Sequence, residues 1–457
     1  MKISFITFIP GFIAWYVATR YSVSRALLLV VLPVMLLLPS NFRFDFPGYP
    51  GFNFNQTAFL AVGAVFFFRD SGHWKFSRMD IWVGAIVLSG FVSDYLRGTF
   101  SDGIRVVVDM STSCILPYVL AKGVIERDNK RIEIAKQIVL LLAFVGAFSL
   151  YEFRFGVNIF QRWLRDFFPL DQSEWVTQLR WGYARIAGPY SHAILAGTIL
   201  AVGLVLHYYL TAQGHWKKRD LSWLPTFGIS KPVALALAIA AGLAMTMSRG
   251  PWLAAVFGLV VVFTGRMKDH RKALGVIVLM LILGGAGAAH MLLKYANGQR
   301  ETAATTEEET AIYRRDLVPM YMPYVEEAAP FGWGRVHTPK LAYMPSIDNH
   351  YLLLAVVQGY VGLAVFVITL AEAIATAVAA AKASKTAEER AFAFTMFGGI
   401  AGIAVSIAMV YLGMQLHQLF YFLIGWSEGF RQVVGRRTAP GVQPVMASVG
   451  FRQRILT

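Results

Sequence analysis

Apolar residues along this chain fall in long continuous runs broken by short polar stretches, without the strict alternation that marks a half-buried strand. Thirteen runs stand out: 3–19, 24–39, 56–68, 80–95, 105–123, 134–152, 190–211, 232–247, 251–265, 273–293, 350–381, 391–412 and 414–430. A helix crossing a bilayer needs about 20 mostly apolar residues. Lipid offers the backbone no hydrogen-bond partners, so only helices and closed barrels span it, and runs this continuous are helical. The pattern predicts an all-α, polytopic integral membrane protein with about 12 to 13 transmembrane helices. The third run is short and Pro10 can bend or shorten the first, so twelve full crossings plus one partial element fits equally well.

Composition agrees. Hydrophobic residues make up 56% of the 457 positions and charged residues only 15%, too apolar for a soluble globular chain. The net charge of +15 would suit nucleic acid, but no basic soluble segment is present to carry that contact. Cytoplasmic loops that collect Lys and Arg account for it instead. The single cysteine, Cys114, excludes a disulfide or a multi-thiolate metal site within one chain. The opening "MKISFITFIPGFIAWYVATR" lacks a small-residue cleavage site and leads into a second apolar run, so it reads as a retained first span.

The loops give an orientation. "RDSGHWKFSR", "ERDNKR", "HWKKRD", "GRMKDHRK", "AKASKTAEER" and a basic tail over 431–457 alternate with loops almost free of lysine. By the positive-inside rule the basic set is cytoplasmic. The opposite, outer face then receives 153–189, the turn at 248–251 and the large loop 294–349. The whole of 1–457 reads as a single transmembrane domain with these loops attached.

Against that bias the outer loops carry arginines. Segment 153–189 holds Arg154, Arg162, Arg165, Arg180 and Arg185 but no lysine. Guanidinium is permanently charged and forks onto phosphate oxygens, so such arginines suggest a bound anion. Arg154, Arg162 and Arg165 fit snorkelling to headgroups better. Arg185, before the turn in "RIAGPYSHAILAG", and Arg249, in the tight "AMTMSRGPW" turn, are the functional candidates, with a structural salt bridge as the alternative.

In the large loop, Thr305 and Glu308 have capping-box spacing, and Ile312, Leu317, Met320, Tyr321 and Tyr324 mark an apolar face interrupted at Pro319. This predicts a helix along the membrane surface, from which Arg314 and Arg315 project. The loop continues through "PFGWG", a glycine-aromatic turn able to lie against a sugar, and ends in "SIDNHYLLL" at the mouth of a span. Gly359 and Gly362 in "VVQGYVGLAVF" read as scaffold that lets helices approach closely.

Taken together, "RIAGPYSHAILAG", "SRGPWLA", the arginine-bearing loop ending in "PFGWG", and "DNHYLLLAVVQGYVGL" resemble the O-antigen ligase and polymerase superfamily over roughly 185–375. The N-terminal spans match it only in hydropathy. The resemblance implies a GT-C-like helical membrane fold in the bacterial inner membrane, with a large periplasmic loop and the active site facing the periplasm. It implies transfer of a glycan from an undecaprenyl-pyrophosphate carrier, the substrate, to an acceptor hydroxyl, with no cofactor. The acceptor is the next lipid-linked repeat unit in a polymerase and lipid A core in a ligase. Polysaccharide-export or chain-length-control proteins are further expected partners. Arg185, Arg249 and His350 occupy the family's functional positions. Many ligases show His, Ser or Gly ahead of the Asn, whereas Asp348 resembles exopolysaccharide polymerases, which favours polymerase.

Chemistry fits these residue types. Breaking a glycosyl–pyrophosphate bond builds negative charge on the leaving oxygen, which fixed cations stabilise. No convincing outer carboxylate or histidine cluster for a divalent ion is visible, so a metal-independent mechanism is expected, with Arg185, Arg249 and Arg314 or Arg315 on the pyrophosphate. His350 is the expected general base, with Asp348 orienting it, Asn349 beside it and Tyr351 against sugar; His192 is the alternative base. A helix-start histidine satisfied by the backbone is the competing reading of His350. A lipid-linked glycan transporter predicts internal repeats and midplane polar groups, and no repeat is visible. A non-catalytic scaffold leaves the lysine-poor, arginine-bearing loops unexplained.

Overall fold

The computed structural model describes residues 4–45, 51–169, 172, 177–217, 228–265, 267, 269–295, 298, 300–303, 305–344 and 346–436. The chain is an all-α, polytopic membrane protein. Each of the thirteen apolar runs falls on helix, and the only paired strands among the described residues are two short hairpins, Arg43–Phe44 with Phe52–Asn53 and Leu179–Arg180 with Tyr183–Ala184. Five helices are long and apolar enough to cross a membrane: Arg78–Arg97, Phe100–Val124, Arg131–Phe155, Ala193–Ala212 and His350–Ala383. Shorter apolar helices run over Val23–Leu37, Lys231–Met245 and Arg249–Thr264. Of the expected basic tail, 431–436 continue the Met414–Arg436 helix, and 437–457 lie outside the described residues.

Helix starts follow local chemistry. Asn53 with Gln56, Ser77 with Asp80, Thr99 with Asp102, and Thr386 with Glu389 form reciprocal capping boxes, each satisfying two otherwise orphaned N–H groups. Ala193–Ala212 is the axis of the bundle, 89% buried, and packs against Arg131–Phe155, Lys231–Met245, Arg249–Thr264 and Ala387–Ser406. Elsewhere backbones touch: a Cβ on Gly425 would stand 2.2 Å from the Tyr118 carbonyl oxygen.

One end of the bundle is clamped by buried ion pairs. Lys122 meets Asp80 at 2.5 Å, the Tyr118 hydroxyl donates to the same carboxylate, Arg131 pairs with Glu126, and Arg431 holds Glu428 at 2.6 Å. Pairing with extra hydrogen bonds is what makes such charges tolerable away from water. The other end carries the candidate site.

Two helices depart from expectation. The segment expected over 391–412 stops as helix at Ser406, and the chain after it turns back so that the Ile407 carbonyl accepts from His350 N–H at 2.9 Å. The His350–Ala383 helix breaks at Gly359, whose φ of +66° suits glycine alone. The "PFGWG" loop fills the break. Trp333 and Gly334 N–H donate to the Val356 and Val357 carbonyls at 2.9 Å each, and Val361 N–H donates to the Pro330 carbonyl at 3.2 Å. A Cβ on Gly359 would lie 2.0 Å from the Pro330 oxygen. Backbone freed inside a membrane helix must find partners within the protein. This glycine is therefore a socket for a loop, not helix-packing scaffold, and the loop is structural rather than open to a sugar.

Candidate active site

The site begins with a reversal of the chain. Trp181 and Gly182 both adopt positive φ and close the hairpin that pairs Arg180 with Tyr183. Arg180 and Arg185 then reach the same turn, 246–248, between two apolar helices. Arg180 donates to the Met247 carbonyl at 2.7 Å. Arg185 makes three bonds: to the Thr246 carbonyl at 3.1 Å, to Ser248 Oγ at 2.8 Å and to Gln178 Oε1 at 2.8 Å. Met247 sits at φ +47°, a conformation uncommon outside glycine, and the arginines hold the carbonyls around it. Ser248 caps the next helix, so Arg249 is its first residue and stands exposed.

The large loop supplies the other wall. Thr305 accepts from Glu308 N–H at 3.2 Å and starts the helix Thr306–Glu327, which passes through Pro319 and Pro323 without ending. Its inward face is Ile312, Leu317, Tyr321 and Val325; Met320, expected on that face, is exposed, and Tyr324 is half-buried. Arg314 lies half-buried, within electrostatic range of Asp348, Arg180 and Arg249. Arg315, one position on, is turned by about 100° and instead binds Asp316 at 2.6 Å and the Gly298 carbonyl at 3.3 Å. Of the two arginines expected to share this role, the helix phase brings only Arg314 to the others.

Electrostatics show what the group lacks. Burial, together with Arg180 and Arg314, pulls Arg185 down to about 10. Burial, with Arg180 and Arg249, also lowers Arg314, and Asp348 opposes the shift. Four guanidinium groups thus gather with Asp348 beside Arg314, and like charge nearby lowers both Arg185 and Arg314. A bound anion removes that penalty. His192 is pushed down to about 4 by burial and by Arg185. Its Nδ1 accepts from Ile194 N–H at 3.1 Å and caps the Ala193–Ala212 helix, and its Nε2 lies 3.4 Å from Gln178 Nε2.

The DNHY residues divide. Asp348 stays half-buried at the arginines and accepts from Ser346 Oγ at 2.8 Å. Asn349 Oδ1 accepts from Leu352 N–H at 3.1 Å as the helix cap. His350 is 6% exposed, its ring edge-on to Phe366 at 5.1 Å and its electrostatic neighbour is His417, not the arginines. Tyr351 gives its hydroxyl to the Ala404 carbonyl at 2.9 Å. Of the three residues expected together, Arg185 and Arg249 sit at the same turn, while the helix starting at His350 turns positions 350 and 351 into the bundle. Sequence reasoning passed over Arg180 and Gln178; the signal for Arg180 was its place in the same lysine-free segment.

Residues 234–367 match the family model described as O-antigen ligase. That segment is similar to the O-antigen ligase family, in line with the resemblance read from the sequence. The matched segment contains Arg249, Arg314 and Asp348, while Arg180, Arg185 and His192 lie before it. The five apolar helices mark an integral membrane protein, and the matched segment supports a ligase- or polymerase-type activity in general terms. No curated protein matches the chain.

Proposed function

We propose that this protein transfers a glycan from an undecaprenyl-pyrophosphate carrier to a sugar hydroxyl at the periplasmic face of the inner membrane, polymerising repeat units of O-antigen or exopolysaccharide. The observation that carries the proposal is the gathering of Arg180, Arg185, Arg249 and Arg314 around Asp348. The arginines bind the diphosphate, and their charge is felt most as the bond from the anomeric carbon to the phosphate oxygen breaks and charge builds on that oxygen. They supply this charge without a metal. The acceptor hydroxyl attacks the anomeric carbon, its proton passes to Asp348, and the carrier departs as the pyrophosphate. His350, the base expected from sequence, is not the base here: its ring packs on Phe366 inside the bundle, and only its backbone N–H ties the helix start behind Asp348 to Ile407. The periplasmic placement rests on the lysine-poor loops that build this end.

Transfer to lipid A core is the second reading, favoured by the ligase description of the matched family. Glycan profiling of a deletion strain separates the two. Single repeat units still attached to lipid A core indicate a polymerase, and complete chains accumulating on the carrier indicate a ligase. An unchanged profile removes both, and complete chains retained on the cytoplasmic side indicate a transporter.

A further inference from the structure

A polar cavity of about 400 Å³ is lined by none of the four arginines. Its wall pairs Arg43 with Asp45 at 2.9 Å, Arg335 with Asp109 at 3.1 Å and Arg105 with Asp102 at 3.8 Å. Asp94 is the fourth carboxylate, so the formal balance is negative, opposite in sign to the arginine site. A diphosphate is repelled here. Asp94 is only 3% exposed; one oxygen accepts from Arg335 N–H at 3.1 Å, and Oδ2 has no hydrogen-bond partner in the structure. A buried acceptor without a donor asks for one. Sugar hydroxyls donate; phosphate oxygens do not.

The hairpin Arg43–Phe44/Phe52–Asn53 forms one edge of this cavity, to which Arg43 and Gly51 belong. On its other side Phe52 lines an apolar groove of about 460 Å³. That groove runs from Phe8, which packs edge-on to Phe44 at 5.8 Å, along Phe12 and Trp15 of Ile9–Arg20, facing Leu60 of Phe54–Arg69. Positions 8, 12 and 15 share one helix face. In a bilayer any apolar groove is wetted by lipid. This one is distinguished by opening, across a two-residue strand, beside a hydroxyl-seeking cavity.

We propose that the hairpin seats a second amphipathic ligand, a lipid whose uncharged saccharide head enters the Asp94 cavity and whose hydrocarbon chain lies in the groove along Phe12, Trp15 and Leu60. This ligand is distinct from the diphosphate-linked substrate of the function proposed above, and the binding site does not rest on that function.

The test uses the full-length protein in phosphatidylcholine nanodiscs without donor. Two photoprobes share one alkyl chain bearing a diazirine; one carries maltose as its head, the other a phosphate. Peptide mapping is expected to place maltoside label on the Phe12–Trp15 and Leu60 segments about tenfold above the phosphate probe. Leu60→Trp, which fills the groove from the lipid side, and Asp94→Ala should each cut that label about fivefold or more, while Arg249→Ala leaves it unchanged. Label spread evenly over the lipid-facing helices, an equal yield with the phosphate head, or label indifferent to both Leu60→Trp and Asp94→Ala overturns the proposal. Since no transfer is measured, a labelled groove on a protein without transferase activity would sink the proposed function and leave this site standing.

Discussion

Arg185 donates to Ser248 Oγ at 2.8 Å, and Ser248 in turn donates to the Thr246 carbonyl that Arg185 also binds. This closed triangle ties a loop before one span to the turn that launches another. It fixes Arg249 at the head of its helix and leaves that guanidinium with its charge outward. On the proposed function Arg185 is both a positioning group and part of the cationic cradle, whereas Arg249 is cradle alone.

Arg249→Ala should therefore lower transfer by about 100-fold or more, the usual cost of losing one preorganised charge at a developing anion. The amount of membrane-inserted protein should not change. Arg249→Lys keeps charge but not the fork and should recover only part of the rate. A repeat-unit transfer assay on purified variants, normalised to inserted protein, checks this.

Asp348→Asn should remove most activity, and His350→Gln should cost far less, within about tenfold. The first loses the proton acceptor; the second keeps ring volume in part and the backbone bond to Ile407. The reverse order in the same assay would return the base to His350.

The His192 ring, held near 4 when folded against about 6.5 when unfolded, links stability to acid. Below pH 6.5 the unfolded chain takes up a proton that the folded chain refuses. Stability contributed by the neutral ring is full above 6.5 and is lost as pH falls toward 4, by at most about 3 kcal/mol. His192→Asn preserves a capping side chain and should flatten the difference in thermal unfolding between pH 7 and pH 4.5.

Gly359→Ala should reduce folded protein severely, by about 4 kcal/mol or more, since the residue is at positive φ and its Cβ would overlap the Pro330 oxygen. Gly275→Ala, with nothing within 4 Å of its Cβ, should be silent. Fluorescence-detected size exclusion of tagged variants distinguishes the two.

Much of the fold is legible in the chain because hydropathy decides it: each of the thirteen apolar runs carries helix, the 391–412 run only as far as Ser406, and the Thr305 cap starts the helix expected in the large loop. The break at Gly359 was not legible. A glycine inside an apolar run has the same sequence signature whether it admits a neighbouring helix or a loop 25 or more residues away, and only the partner's hydrogen bonds tell them apart. In the site, residue type named the candidates and helix phase decided which of them came together. Arg314 and Arg315 differ by one step around a helix, and Asp348 and His350 fall on either side of the helix cap Asn349. Arg180 joins through a hairpin whose register depends on a turn at Trp181 and Gly182, a tertiary detail without a strong local pattern.

The central claim is that these four arginines receive a diphosphate. Its most direct test is the affinity of the purified protein for undecaprenyl pyrophosphate, measured in nanodiscs for the wild type and for Arg180→Ala, Arg249→Ala and Arg314→Ala. Each single change should weaken binding about tenfold or more, with the loss shrinking at high salt. Wild-type affinity in all three variants would contradict it.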